Sequence, residues 1–539
     1  MYFCTIFVRY CHNHKILTGM KKLRLIIPLL LIALLWASCE KNDEVEATSD
    51  TINMGDDSSD FVDDQTWNTT INIIWNGTNV DISGTTDSVQ ISSLNGYVTI
   101  NSSAKHVEYA LSGNGEGQFS IYSSYKFKLS LEGLTLTCPD GPAINSQCKK
   151  TCYAVLGGVN ALSDGSSYAS TTEDRKAAFF SEGQICFSGS GSLTVTGNYK
   201  HAVASDDYIR VCEGTGILDL TAKVSDGLHA NDGIIINGGT LTINAVEEGI
   251  QCDTSSVVIT GGKLDITSTS DKGILAYANI AISGGTINIT SKYKCIKTKS
   301  NLAISGGSIT AIATGASSSG WGGNSSSGTP EGIEAKGTIT ISGGQVFAQA
   351  SDDAINAGGE MTISGGYVMA YSTGNDGLDA NGNCYIKGGT VYAIGASAPE
   401  VGIDANTEGG YRLYVEDGTI VAIGGLENNS SLSQSCYSAS SVAKETWYAL
   451  YNGNDVAFVF QTPKELSSST FVVSTSGTTS LKSGVSTNGG KSILNGFALS
   501  GAEVSGGNDV SLSSYTGGNG GGPGGGNPGD GGPGGGGRR

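Results

Sequence analysis

Charge is scarce in this chain. Only 15% of its 539 residues are Asp, Glu, Lys or Arg. Positive charge is scarcer still: 31 Lys and Arg stand against 50 Asp and Glu, a formal net charge of −19. That balance argues against nucleic acid as a partner, because a phosphate backbone needs a basic face. Cations, or neutral or basic surfaces, fit it better. A sustained 3.6-residue hydrophobic period is missing after the N-terminus, which argues against helical domains. Regular cysteine spacing is missing too. Nine cysteines follow position 39, an odd number that sets no disulfide framework. Cys148 and Cys152 lack the second pair or histidine partner of a structural metal site. Cys252 and Cys384 sit where the repeat places apolar residues, as small buried hydrophobes do.

What is abundant is glycine, with 80 copies. The glycine pairs recur: Gly238-Gly239, Gly261-Gly262, Gly284-Gly285, Gly306-Gly307, Gly343-Gly344, Gly365-Gly366 and Gly388-Gly389. Their steps are 23, 23, 22, 37, 22 and 23 residues. A fixed period in this range marks a solenoid whose units bury their apolar faces on one another.

Each unit carries three short apolar runs. One ends before the glycine pair (Val257/Ile259, Ile280/Ile282) and one follows it (Leu264/Ile266, Ile287/Ile289). The third is a small residue plus an apolar one (Gly273-Ile274, Cys295-Ile296, Ala354-Ile355). Earlier, less regular coils give Ala202-Val203, Phe180 and Ala143-Ile144. Apolar and polar residues alternate in each run, the period of a half-buried strand. Three strands per coil describe an all-β fold, a right-handed parallel β-helix. Leucine-rich repeats share the period but their Leu/Asn signature is missing, and a propeller blade is about twice as long. The 37-residue step is one coil with a Gly/Ser-rich insertion at 314–329.

The N-terminus reads as an export signal. Met20-Lys21-Lys22-Leu23-Arg24 is a basic start, and Met20 is the expected first residue of translation. The apolar stretch 25–36 is short for a membrane span. Ala37-Ser38-Cys39 has the form of a lipobox, which makes Cys39 the acylated residue. The expected organisation is therefore a signal and lipoprotein segment at 1–39, a disordered acidic tether at 40–66, and the β-helix with its N-terminal cap at 67–435. A C-terminal β cap at 436–515 and a disordered Gly-rich tail at 516–539 follow. Acidic residues directly after the lipidated cysteine point to the outer face of a Gram-negative outer membrane.

In such a coil, equivalent residues lie roughly 5 Å apart along the wall. One outward column on the third strand reads Glu182, Asp206, Asn231, Asp253, Tyr277, Lys299, Lys336, Gly358, Asn381, Asn406. Asp206, Asp207, Asn231, Asp232 and Asp253 thereby gather into a hard-oxygen cluster that suits calcium, or else a solvated acidic patch. Lys272, Lys292, Lys294, Lys297 and Lys299, with Tyr277 and Tyr293 between them, form the densest positive spot. Lysine would pair with acidic sugars and tyrosine would stack on sugar faces. Trp321 in the insertion is a further sugar platform or a packing residue. Asp226, Glu248, Asp353 and Asp376 read as ordinary turn residues.

The coils resemble the pectate-lyase-like β-helix. More closely, the chain resembles a family of secreted or lipid-anchored carbohydrate-binding β-helix proteins. The resemblance runs over 97–424 through Leu129-Ser130-Leu131-Glu132-Gly133-Leu134, Gly158-Val159-Asn160-Ala161-Leu162-Ser163-Asp164-Gly165, Ser205-Asp206-Asp207 and the Ile-Ser-Gly-Gly repeats. It implies a non-catalytic, monomeric binder of cellulose-type or acidic plant cell-wall glycan, with calcium held by aspartates such as Asp206 and Asp207. Two other readings stay open. A polysaccharide lyase on the same fold would use Lys297 or Lys299 as base beside the Asp206/Asp253 cluster. A structural adhesin would use the fold without chemistry.

Overall fold

A computed structural model describes residues 58–316 and 329–517, and Cys39 and Trp321 lie outside the described residues. The repeats form a parallel β-solenoid of about 12 turns. The first run of each coil pairs in register from Val257 to Ile280, Leu302, Ile339, Met361 and Cys384. The second runs from Leu264 to Ile287, Ile309, Val346, Val368 and Val391. The third runs from Leu228 to Ile250, Ile274, Ile296, Ile333, Ile355 and Leu378, inside a 13-stranded sheet of its own. These side chains fill one continuous core and are almost wholly removed from water. Each contributes about 1.5–3 kcal/mol by burial, so the fold is the sum of many equal increments.

Two glycine positions make the coil close. The second glycine of each pair takes a left-handed φ, +90° at Gly262 and +88° at Gly285, where a side chain would be strained. The small residue before each third strand solves a different problem. At Gly273 an added Cβ would meet Ile289 Cγ2 at 2.2 Å and the Cys295 carbonyl at 2.5 Å.

Three details differ from the sequence reading. First, Phe179, not Phe180, is the inward anchor of its coil, pairing with Ile144 and Val203. Phe180 faces outward and packs with Ala177 and Ala204. Second, the chain is already folded inside the stretch expected to be tether. Ser58–Asp60 and Val62–Asp64 are 3-10 turns, and Asp60 is buried against Arg210. Third, the C-terminal region does more than close an end. Its six-stranded antiparallel sheet lies over the outer face of the second ladder, where Phe347, Met369 and Tyr392 form a second core with Leu450, Phe458 and Phe460. All nine cysteines from Cys138 to Cys436 are free and buried.

Candidate functional site

The outer face of the third ladder gathers the charged residues, and backbone pairing sets its lanes. The amide of Asp206 donates to Ser181, that of Asn231 to Ser205, Asp253 to Ala230, Tyr277 to Cys252, Lys299 to Ala276 and Lys336 to Thr298. Each coil repeats the same bond, so the column read from the sequence is a real column on one wall. A second lane, at the middle of each third strand, runs through His229, Gln251, Leu275, Lys297, Glu334, Asn356 and Asp379. A third lane lies three residues earlier, in the turn, and carries Asp226, Glu248, Lys272, Lys294, Glu331, Asp353 and Asp376.

The aspartate cluster has two kinds of member. Asp206 takes Lys176 Nζ at 2.5 Å, and Asp253 accepts from Gln251 Nε2 at 2.7 Å and faces His229 Nε2 at 3.3 Å. Asp207 and Asp232 pair with no lysine or arginine among the described residues. Asp232 accepts from Thr254 Oγ1 at 3.1 Å, and Asp207 from the Tyr208 amide at 3.0 Å. Burial raises the Asp207 carboxyl, and the nearby charge of Asp232 adds to the rise. Asn231 stands between Asp206 and Asp253 in their column, its amide bonded to Ser205 of the preceding coil. The side-chain donors here are all oxygen, the kind a hard cation takes, but among the described residues no three of these aspartates bring ligand atoms within 4.8 Å of one another.

The lysines also divide. Lys294 and Lys297 are not a surface patch: they are 4% and 9% exposed. Lys294 Nζ reaches Glu331 Oε2 at 2.8 Å and Glu334 Oε2 at 3.1 Å, and Lys297 Nζ reaches Glu334 Oε2 at 2.8 Å. Lys336 completes the group on Glu334. Burial alone would raise Glu334, but the three lysines outweigh it and hold the carboxyl down at about 2. Lys272 is tied to Asp271 at 2.7 Å and Glu248 at 2.9 Å. Lys299 and Tyr277 remain at the surface. Tyr277 is 53% exposed and the Lys299 ammonium lies 5.7 Å from its ring centroid. Lys292 is exposed and Tyr293 half-buried in the turn beside them.

The turn lane corrects the reading of Asp226, Glu248, Asp353 and Asp376 as ordinary turn residues, and it adds Glu331, which that reading did not name. Asp226, Glu248, Glu331, Asp353 and Asp376 are buried, not solvated turn residues. Burial, with Asp379 and Asp352 next to it, pushes Asp353 up to about 9. Burial likewise lifts Asp376 to about 7 and Asp379 to about 6. The available signal was spacing: each of these acids lies three residues before an outward polar residue of the next lane.

Two overlapping stretches, residues 94–289 and 213–377, match the model of the carbohydrate-binding domain-containing protein family and together span more than half of the chain. The chain belongs to that family. The stretch that carries family membership holds the third-ladder strands from Tyr97–Ser102 to Ile355–Ala357, and so most of the three lanes. Among solved structures, a polysaccharide lyase-like protein from C. thermocellum, studied as a gadolinium derivative, is similar at 20% identity and a TM-score of 0.37. That likeness covers 50% of this chain and 96% of the other. No curated protein matches the chain.

Proposed function

We propose that this carbohydrate-binding family member holds an acidic, uronate-containing polysaccharide along the third-ladder wall, with calcium assistance and without catalysis. The observation that carries the reading is the succession, on adjacent coils, of Asp253, Tyr277 and Lys299 in one outward column. Tyr277 offers an exposed ring for a sugar face, and Lys299 offers a positive charge to a uronate carboxylate. Calcium at Asp207 and Asp232, with Asp206, Asn231 and Asp253 around them, would bridge a second uronate. Tyr293 and Lys292 extend the contact. Lys294 and Lys297 act from beneath by neutralising Glu331 and Glu334, which would otherwise repel the polyanion. Trp321, in the insertion, is a further sugar platform in this reading. A lipid on Cys39 would hold the protein as a monomer on the outer face of a Gram-negative outer membrane.

Affinity electrophoresis in gels containing polygalacturonate tests the proposal. Wild-type migration should be retarded with Ca²⁺ and released by chelator, and Tyr277→Ala with Lys299→Ala should lose most of the retardation. Equal retardation of the double variant would place the glycan elsewhere.

A second reading, a lyase, rests on one observation. Burial lowers the Lys297 ammonium pKa more than Glu334 restores it, and Lys294 and Lys336 add to the lowering. A lysine base needs that shift. The growth of ultraviolet absorbance from unsaturated uronate products would establish it; a flat trace with intact binding leaves the binder.

A further inference from the structure

We propose that His201, Asp226 and His229 form a buried site for a divalent transition metal of the zinc class, distinct in its ligands from the calcium aspartates and adjoining them through Asp253. The three residues come from adjacent coils. His201 and Asp226 occupy the same turn position one coil apart, as the Ala202 amide bonded to the Asp226 carbonyl at 3.0 Å shows. His229 projects outward from the strand Leu228–Ala230. The two imidazoles stack with centroids 4.1 Å apart and planes 21° apart. Both turn Nδ1 toward one carboxylate oxygen, Asp226 Oδ2, at 3.1 Å from His201 and 2.9 Å from His229. One ligand atom from each of the three lies within 4.8 Å of the others. His201, Asp226 and His229 are 1%, 2% and 5% exposed.

The hydrogen bonds around the cluster use the atoms a metal would take. His229 Nδ1 is hydrogen-bonded to Asp226 Oδ2 at 2.9 Å, and its Nε2 lies 3.3 Å from Asp253 Oδ2, so a metal at Nδ1 would replace the proton of the first contact and leave a proton on Nε2 facing Asp253. The Asp226 amide donates to His201 Nδ1 at 3.3 Å, which makes that nitrogen an acceptor. His201 Nε2 is buried with no hydrogen-bond partner. Two imidazole nitrogens and a carboxylate oxygen therefore lie together, and a cation would bind there in place of the His229 Nδ1 proton. Mixed nitrogen and oxygen donors select zinc or its neighbours over calcium. The Asp253–His229 contact has the form of the carboxylate that orients a metal-bound imidazole from behind. Three protein ligands leave one position of a tetrahedral ion to a water.

The test uses the full chain, stripped with a strong chelator, then equilibrated with Zn²⁺ in the presence of excess Ca²⁺. Metal bound after gel filtration is measured by mass spectrometry. One zinc per chain is expected, absent from the His201→Ala/His229→Ala double variant. Asp253→Asn, at a partly exposed position, should weaken zinc about 10–100-fold. Wild-type protein that retains no more zinc than the double variant would overturn the proposal. Cobalt gives a readout that needs no variant. The intense visible bands of a tetrahedral nitrogen–oxygen site support it, and the pale spectrum of hydrated cobalt overturns it. Because calcium is present throughout, the result does not depend on the glycan reading.

Discussion

Arg210 Nε donates to Asp60 Oδ2 at 2.9 Å across 150 positions of chain, and both groups are buried. The bond clips the first folded turn onto the flank of the solenoid. Tyr208 donates to the other oxygen of Asp60. Asp60→Ala strands a buried guanidinium, a loss of about 3–5 kcal/mol for such pairs. Arg210 keeps Asn237 Oδ1 at 2.9 Å, which places the loss at the lower end. Urea unfolding of the variant against wild type measures it.

Glu334 is the hub of the lysine group. Glu334→Gln leaves Lys297 and Lys336 without their shared carboxylate and should destabilise the protein by about 3–5 kcal/mol. Glu331 retains Lys294, so Glu331→Gln should act on fewer contacts and cost less. Parallel denaturant curves for the two variants check the order.

Acidification from about pH 9 to about pH 7 should raise the melting temperature. Asp353 and Asp376 have folded-state pKa values of about 9 and about 7, above their unfolded value of about 4. A carboxyl raised by folding is destabilising once ionised, so stability returns as pH falls through the folded pKa. His201, held down at about 4 by burial, does not titrate in this window. Asp353→Asn should flatten the profile. A wild-type melting temperature that falls on acidification contradicts the prediction.

Gly273→Ala places a methyl 2.2 Å from Ile289 Cγ2 in a packed core. The expected loss is about 1–3 kcal/mol, read from thermal unfolding. Gly410→Ala, where a Cβ meets nothing within 4 Å, isolates the cost of its +88° φ alone.

The nine described cysteines should resist a thiol reagent in the native state and react together on denaturation. Burial pushes Cys252, for example, up to about 11, so little thiolate is present at neutral pH. Quantitative native labelling of these thiols contradicts the fold.

The coil was legible because the glycine pairs and alternating apolar residues state the same period twice. Strand pairing then followed, and with it the column from Asp206 to Lys299. What the sequence does not state is depth. Lys294 and Lys299 look alike in a chain of letters, yet one lies under Glu331 and Glu334 and the other beside Tyr277. Asp353 and Asp376 precede small residues, as turn aspartates do, and only the close stacking of coils buries that position. Phe180 was misplaced by one residue because two phenylalanines in succession fit either face of a strand.

The insertion at 314–329 lengthens the chain between the strands Ser308–Ala313 and Ile333–Ala335, yet Ile296 still pairs with Ile333 as though nothing intervened. Each coil thus repeats the same register along the axis whatever its turns carry. Duplicating one would add one position to every lane at once, lengthening the wall like a ruler by one graduation. Tandem duplication gives this architecture a simple route to match polymers of different length.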